Sequence, residues 1–403
     1  MKRSVKGIIT TQAGSLPRPA DLIELYQAQG AGELKDAKAL GARLSSAVTE
    51  IVRHQKEIGI DVPGDGEFGK STTAAIDYAP WLTYVHPRLA GFAGSVPVMD
   101  AMGSKVVEGL TFGSFFDRRD LQKYRDFYTS PDSGHFGSSK PGGDIPVCSG
   151  PVSYVGYDAV NADIKNLKAA MAAAGVDEGF MTAISPGVLE RFPNSYYKTD
   201  QEFLFALADA MHEEYKTIVD AGIILQIDDP GMPDTWDQAN PEPPIDVYRN
   251  FARIRIEALN HALRGLPEDR IRHHICWGSW HGPHTTDLPL KDVADLLLTV
   301  HAGAYSIEAG NVRHEHEWKV WNEVKLPKDK LLIPGVVSHC TNVVEHPEVV
   351  ADRIVQYAKA VGRERVIAGT DCGLGGRIHS QIVWAKLEAL AEGARLASKE
   401  LWP

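Results

Sequence analysis

Cysteine is scarce in this 403-residue chain, which contains only four such residues. Four cysteines in so long a chain are too few for a disulfide framework, so any pairing between them points to metal binding or catalysis. The sequence has no apolar run of about 18 residues, the length that a transmembrane helix needs. Its amino end, MKRSVKGIITTQAGSLP, lacks the apolar core of a signal peptide. We therefore expect a cytoplasmic protein with no membrane partner.

Positive charge is also in short supply. The chain has 42 Lys and Arg residues against 53 Asp and Glu residues, which gives a net charge of −11. The basic residues are scattered, and no cluster of them has the electrostatic footprint of a protein that binds DNA or RNA. Nucleic acid is therefore not an expected partner. The apolar content of 43% supports a large core, and the length fits one α/β barrel with insertions or two domains.

The chain does contain a regular alternation of short β-branched runs and helical stretches. This alternation is typical of βα units around a parallel sheet. We predict an α/β fold, a single (β/α)8 barrel of the TIM type over residues 1–403, with an insertion after the second strand at about 70–144. We expect this insertion to cover one end of the barrel or to make a subunit contact. A barrel of this type has eight strands, whereas the sequence has nine candidate runs, so one of the nine is not a barrel strand. The candidate runs are 8–15, 61–67, 145–150, 179–185, 223–229, 271–277, 304–310, 331–337 and 365–372.

Residues able to bind or react stand at the ends of most of these runs. The carboxyl ends of all strands in a parallel barrel open onto one face, so side chains far apart in sequence can converge there. The residues with this placement are Ser15, Glu67, Asp228, His274, Cys276, Glu308 and Cys372.

A metal site is the chemistry that four of these residues favour together. His274 and Cys276 are two positions apart, so on a strand they share a face with Cα atoms roughly 6.5–7 Å apart. Glu308 and Cys372, which end later runs, would add an oxygen and a second sulfur. Thiolates and imidazole select a borderline-soft cation such as Zn²⁺, whereas Ca²⁺ and Mg²⁺ prefer oxygen ligands. Each residue alone also fits ordinary packing in a core, and only their joint order favours a metal.

Several short motifs occur in a fixed order along the chain: TTQAGSLPRP near the start, then GDGE, QIDDP, HIC, SIEAG and TDCGL. In these motifs the sequence resembles the carboxy-terminal catalytic barrel of cobalamin-independent methionine synthases, over nearly everything except residues 70–144. The resemblance implies a zinc ion held by His274, Cys276, Glu308 and Cys372. It also implies that the polar end of the substrate amino acid is held by Ser15, Glu67 and Asp228.

The activity implied by the resemblance is transfer of a methyl or larger alkyl group to a small-molecule thiol, with homocysteine the default acceptor. A free thiol with a pKa near 8.5 is mostly protonated at neutral pH, and zinc binding removes that proton. In the family, a histidine after the Gly-Val strand end is thought to pass the proton. Here Cys340 falls at that place, and the adjacent His339 is the candidate catalytic residue.

Other interpretations of the sequence stay open. The chain also resembles the short branch of the family that includes epoxyalkane:coenzyme M transferase, in which a different thiol adds to an epoxide. Further alternatives are a barrel with a purely structural zinc and a metal-free barrel of the uroporphyrinogen decarboxylase kind. The segment 311–321, NVRHEHEWKVW, fits a second metal site, but a charged helix start with inward tryptophans is the simpler interpretation. Cys148 and Cys340 are interpreted as packing residues, and the oligomeric state is open.

Overall fold

Seven parallel strands form the main sheet of the protein. The computed structural model describes residues 1–75, 77, 80, 84–97, 105–112, 117–130, 144–278 and 281–403. In their order across the sheet, the strands are β1 (Ile9–Thr10), β11 (Ile367–Thr370), β10 (Leu331–Val337), β9 (Ala304–Ile307), β8 (Ile271–Ile275), β7 (Ile224–Asp228) and β6 (Phe180–Ile184).

The strands of this sheet are covered on both faces. Every residue of β6, β8, β9, β10 and β11 is buried. Burial on both faces is typical of parallel strands flanked by helices, and it explains why these runs read as continuous apolar segments. The predicted α/β fold with a parallel sheet is confirmed.

The segment 61–67, predicted as the second strand, connects the two edges of the sheet. Val62 forms a parallel bridge with Thr11, next to β1, and Gly64 forms a parallel bridge with Phe180 of β6. One short segment can reach both edges only if the sheet curls round on itself. Because the described residues of this segment form single bridges and no strand, the closed eight-stranded barrel stays a prediction.

A buried arginine shows the same curl from the inside. Arg272 on β8 donates hydrogen bonds to Gln226 Oε1 on β7 (2.7 Å) and to Thr11 Oγ1 beside β1 (3.0 Å). Strands β8 and β1 are four places apart, which in a flat sheet would separate them by roughly 19 Å. No side chain spans that distance, so the two strands must face each other across a curled sheet.

The run 145–150 is the one that lies outside the main sheet. It belongs to β5 (Asp144–Tyr154), which pairs antiparallel with β2 (Leu89–Pro97). In β5 only Cys148 and Tyr154 are buried, whereas the strands of the main sheet are enclosed. This partial exposure is what a strand at the periphery of the fold shows.

Helices follow most strands and pack on the outside of the sheet. One of them begins with a capping box, in which the Thr199 side chain accepts from the backbone N–H of Glu202 and the Glu202 carboxylate accepts from the backbone N–H of Thr199. In the described part of the chain, no helix combines the length and the apolar character needed to cross a bilayer. The helices are α1 (Ala20–Gly30), α2 (Ala37–Glu57), α3 (Arg119–Lys123), α4 (Arg125–Thr129), α5 (Tyr157–Ala174), α6 (Pro186–Leu189), α7 (Asp200–Asp220), α8 (Gly231–Gln238), α9 (Ile245–Ala262), α10 (Ala294–Leu297), α11 (Val320–Glu323), α12 (Pro347–Val361) and α13 (Ser380–Leu401).

The predicted insertion at about 70–144 is described in part, and residues 76, 78–79, 81–83, 98–104, 113–116 and 131–143 lie outside the described residues. Its described pieces include β2, the hairpin of β3 (Lys105–Val107) with β4 (Leu110–Phe112), and helices α3 and α4.

Buried polar contacts hold the insertion against loops at the carboxyl ends of β7 and β8. Arg118 donates from Nε to Asp237 and from Nη2 to Asp234, both at 2.6 Å and both on α8, which follows β7. The Asp120 carboxylate accepts from the backbone N–H of Thr285, in the loop after β8. These contacts attach Arg118 and Asp120 to segments that follow β7 and β8.

Replacing Arg118 should loosen this attachment. Arg118 is only 2% exposed, and Arg118→Ala leaves the buried Asp237 carboxylate without its cation, whereas Asp234 keeps its ion pair with Arg191. The unfolding free energy should fall by about 3–5 kcal/mol. The matched control is Arg253→Ala, which removes an exposed ion pair with Glu257 and should cost less than about 0.5 kcal/mol. Urea unfolding of both variants measures the difference, and equal losses would contradict the assigned role of Arg118.

Candidate metal centre

The ends of β8, β9, β10 and β11 are neighbours in the sheet, and three of them carry the predicted metal ligands. In a flat sheet, three strand spacings of about 4.8 Å would hold the ends of β8 and β11 about 14 Å apart. The Sγ atom of Cys276, just after β8, nevertheless lies 3.6 Å from the Sγ atom of Cys372, just after β11. The curl of the sheet therefore brings the two thiols together.

His274, Cys276 and Cys372 form one compact donor set. Their ligand atoms all lie within 4.8 Å of one another. Both cysteines are free, and their separation of 3.6 Å is far longer than a disulfide bond of about 2.05 Å. Two thiolates that each bind a tetrahedral zinc at about 2.3 Å stand about 3.8 Å apart. The observed spacing and the mixture of nitrogen and sulfur therefore fit a zinc-type cation.

The imidazole of His274 is oriented for such a role. Its Nδ1 atom lies 3.0 Å from Ser306 Oγ, and its Nε2 atom is buried with no hydrogen-bond partner among the described residues. Metal-binding histidines are commonly fixed by a hydrogen bond at the ring nitrogen that does not bind the metal. Sequence reasoning did not name this partner, although Ser306 lies within the SIEAG motif. Ser306 on β9 is the residue paired with His274 on β8 in the parallel sheet.

A hydrogen bond joins the two thiols and shifts their pKa values in opposite directions. The hydrogen bond from Cys276 lowers the pKa of Cys372 well below its ordinary value, and His274 contributes to the same shift. The same contact raises the pKa of the Cys276 thiol well above its ordinary value, with burial as the next cause.

Glu308, the fourth predicted ligand, lies in a second donor group with His339 and Cys340. Its carboxylate is fully engaged: Oε2 accepts from the backbone N–H of Trp277 (2.9 Å), and Oε1 accepts from the side-chain amide of Asn311 (2.9 Å). The structure thus brings three of the four predicted ligands into one set and places the fourth beside it.

His339, the candidate catalytic residue, is completely buried. Its Nε2 atom lies 3.1 Å from Cys340 Sγ, and its Nδ1 atom has no hydrogen-bond partner in the described ranges. Burial lowers the pKa of His339, and the nearby Glu308 opposes the shift. Cys340, interpreted from sequence as a packing residue, is thus part of a polar cluster.

Ser15, the first predicted substrate-binding residue, packs against the loop that follows Cys372. Its hydroxyl donates to the carbonyl of Gly375 at 3.1 Å. A Cβ atom at Gly373 would lie 2.9 Å from the Cβ atom of Ser15, and one at Gly375 would lie 2.2 Å from the carbonyl oxygen of Leu16. The glycine cluster after Cys372 is thus explained by close backbone approach.

Glu67, the second of these residues, is held in an uncommon backbone conformation with φ of 61°. Its Oε1 atom accepts a hydrogen bond from Thr182 Oγ1 at 2.7 Å and lies 3.3 Å from Lys70 Nζ. A Cβ atom at Gly14 would lie 2.6 Å from this oxygen, so only glycine fits there. Sequence reasoning missed both Lys70, which lies three residues after Glu67, and Thr182, whose contact from β6 is long-range and is marked by no motif.

Asp228, the third, ends β7 and accepts a hydrogen bond from Gln226 Nε2 at 2.7 Å. Burial raises the pKa of Asp228 to about 7; His274 opposes the rise and Glu67 adds to it. The ionisation of Asp228 is thus coupled to His274 and to Glu67, and both side chains lie near it. The predicted metal and substrate residues therefore occupy one continuous region.

The segment 311–321 contains a hydrogen-bonded cluster. His314 lies between Asp287 (3.0 Å from Nε2) and Glu317 (2.9 Å from Nδ1), and its ring stacks on Trp277 at 3.9 Å. Burial opposes the charged ring, yet these carboxylates raise the pKa of His314 to about 10. The cluster supports Trp277, whose backbone N–H in turn orients Glu308.

The protein thus belongs to the class of α/β proteins with a curled parallel sheet, and it carries a candidate His-Cys-Cys metal centre at the carboxyl ends of the strands. The family model described as "Cobalamin-independent synthase, Catalytic domain" matches residues 172–395, more than half of the chain. The chain belongs to this family. The matched range contains Asp228 and both donor sets, whereas Ser15 and Glu67 precede it.

Individual relatives span nearly the whole chain. Methionine synthases of Sulfurisphaera tokodaii and Sulfolobus acidocaldarius are each 25% identical to it, over 399 and 401 residues, or 97% of this chain and 93% of each relative. Among solved structures, the B12-independent methionine synthase from Shewanella sp. W3-18-1, in complex with selenomethionine, aligns with a TM-score of 0.69 at 21% identity. That alignment covers 98% of this chain and 99% of the other, and it shows a shared fold.

Asp371, next to Cys372, provides a test of how the site is held together. Its Oδ1 atom accepts from the backbone N–H groups of Ala309 (2.7 Å) and Gly310 (2.6 Å), directly after Glu308. Asp371→Ala leaves two buried donors unsatisfied, so the unfolding free energy should fall by about 3 kcal/mol. Asp371→Asn keeps a carbonyl acceptor and should cost less than about 1 kcal/mol. Urea unfolding measures both, and the same loss in the two variants would refute this role.

Proposed function

We propose that the chain is a zinc-dependent methyltransferase of the methionine synthase type, which transfers a methyl group to the thiol of homocysteine. The observation that carries the proposal is the His274, Cys276 and Cys372 set, whose donor atoms lie within 4.8 Å of one another. The family membership and the names of the relatives support the same activity.

In this proposal, His274, Cys276 and Cys372 hold the zinc ion, with Glu308 as the fourth ligand of the predicted set. A catalytic zinc commonly keeps one position for water or substrate, and Glu308, the weakest of these four donors, is the ligand whose position the acceptor sulfur would take. When bound, zinc would remove the proton of an acceptor thiol and keep its sulfur nucleophilic at neutral pH.

The acceptor's amino group is proposed to bind near Glu67 and Asp228. Lys70 already pairs with Glu67 at 3.3 Å, so these three groups together carry a charge of about −1 when Asp228 is ionised. A single ammonium group would neutralise that charge. Ser15, beside the loop after Cys372, is proposed to contact the same polar end of the acceptor.

His339 is the proposed source of the proton that the leaving atom of the methyl donor requires. Its Nδ1 atom, which has no partner in the described ranges, is the one available for this transfer. The hydrogen-bond contact at Nε2 with Cys340 fixes the ring orientation.

The test is replacement of one proposed ligand. Cys372→Ser should lower bound zinc to well below one ion per chain and reduce homocysteine methylation about 100-fold or more, because a catalytic metal contributes several kcal/mol to transition-state stabilisation. The fold should be retained, since Cys372 lies at a strand end. Elemental analysis, circular dichroism and an assay with a methyl-folate donor measure the three effects.

Cys148→Ser is the matched control, because Cys148 is a free, buried thiol that lies in the peripheral β5, outside the donor set. It should keep its zinc and its activity. Chelation of zinc from the unmodified chain separates a catalytic ion from a structural one: an intact fold with no turnover supports the proposal. Unfolding on chelation, or full zinc and activity in Cys372→Ser, would refute it.

A further inference from the structure

A buried lysine of the last helix supports the loop that follows β10. Lys386, on α13, is completely buried, and its ammonium group donates to the Glu345 carboxylate at 2.8 Å and to the carbonyl of Val343 at 2.5 Å. Lysine is almost never fully buried unless it is paired. Because a buried ion pair gains little net stability after the loss of its hydration, stability alone does not account for this one.

This ion pair is connected to the backbone on both sides of His339. The other carboxylate oxygen of Glu345 accepts from the backbone N–H of Ser338 at 2.7 Å. The hydroxyl of Ser338 in turn accepts from the backbone N–H of Cys340 at 3.1 Å. Three successive contacts therefore run from α13 to the residues that precede and follow His339.

Apolar packing gives this loop little support of its own. The side chains of residues 342–344 are exposed, and Val343 reaches 70% exposure. A segment with few buried apolar contacts has low local stability, so polar contacts must determine its path. The carbonyl that Lys386 binds belongs to this exposed part of the loop.

We propose that Lys386 and Glu345 are positioning residues for proton transfer, which fix the backbone around His339 and thereby the orientation of its ring. The inference rests on the proposed function, in which His339 supplies the proton. The described hydrogen bonds of the two residues go to each other and to the loop backbone. Their effect on the reaction should therefore pass through His339, and a displacement of about 1 Å can lower a rate about 100-fold.

The first test is removal of the buried cation. Lys386→Met leaves the Glu345 carboxylate, which is 8% exposed, without its partner, so the carboxylate should turn toward solvent and release Ser338. With a methyl-folate donor, kcat should fall about 10- to 100-fold. Bound zinc and the KM for homocysteine should stay within about twofold of the unmodified values, because the predicted ligands and acceptor contacts are untouched.

Two further variants frame this result. Glu345→Gln retains an oxygen that can accept from Ser338, so its loss of kcat should be smaller, and it repeats the test if Lys386→Met folds poorly. Lys359→Met is the matched control, since it removes an exposed ion pair between α12 and α13, 3.5 Å from Glu400, and should leave kcat unchanged. Circular dichroism of each variant checks the fold.

A second methyl donor separates proton transfer from the rest of the reaction. Transfer from the folate breaks a carbon–nitrogen bond, and the leaving nitrogen keeps the electron pair and takes up a proton. Methyl iodide instead releases iodide, which needs no proton. Methylation of enzyme-bound homocysteine by methyl iodide should therefore proceed at the unmodified rate in Lys386→Met and in His339→Asn. In the double variant, kcat with methyl-folate should be no lower than in His339→Asn alone.

The reactivity of Cys340 reports the loop without any turnover. In Lys386→Met the released loop should open more often, and iodoacetamide should alkylate Cys340 severalfold faster than in the unmodified chain. Peptide mass spectrometry assigns the modification to Cys340 and not to the other three cysteines. Lys359→Met should leave the alkylation rate unchanged.

The outcomes distinguish this inference from the proposed function. Unchanged kcat and unchanged Cys340 reactivity in Lys386→Met would overturn the inference and leave the proposed function standing. A loss that is equal with both methyl donors, or that deepens in the double variant, would also overturn it, because the effect would not pass through His339. Full activity of His339→Asn with methyl-folate would instead refute the proposed proton transfer, and the positioning role with it.

Discussion

The close approach of Cys276 and Cys372 depends on one constraint, the curl of the parallel sheet. Strands β8 and β11 are three places apart, and a flat sheet would hold their ends too far apart for any shared ligand. The bridges made by Val62 and Gly64 at the two sheet edges, and the reach of Arg272 across the interior, reflect the same curl. The candidate metal centre is therefore a product of the whole sheet and not of any single motif.

The shell around the centre consists of side chains that orient other side chains. Ser306 fixes the ring of His274, and Asp371 holds the backbone that follows Glu308. Behind them, the His314 cluster supports Trp277, whose backbone N–H contacts Glu308. Such contacts determine which ligand atoms point toward a common centre, which matters because a metal site tolerates little displacement of its donors.

Much of the fold class and several parts of the centre could be predicted from sequence. The alternation of β-branched runs and helices predicts the parallel sheet because each element buries its apolar residues with its own period. The i, i+2 spacing of His274 and Cys276 predicts a shared face for the same reason. Local pattern could not identify 145–150 as a peripheral strand, since antiparallel pairing with β2 depends on a partner some 50 residues away.

The sequence by itself determined which donor types stand at the strand ends: imidazole, thiolate and carboxylate, in the order in which the strands follow one another. Only the tertiary structure decided how they are grouped. It joined Cys372 to His274 and Cys276, and it placed Glu308 with His339 and Cys340. It also set Thr182 of β6 against Glu67. The physical reason is that residue type and spacing are local properties, whereas distances between strand ends depend on the curl of the complete sheet.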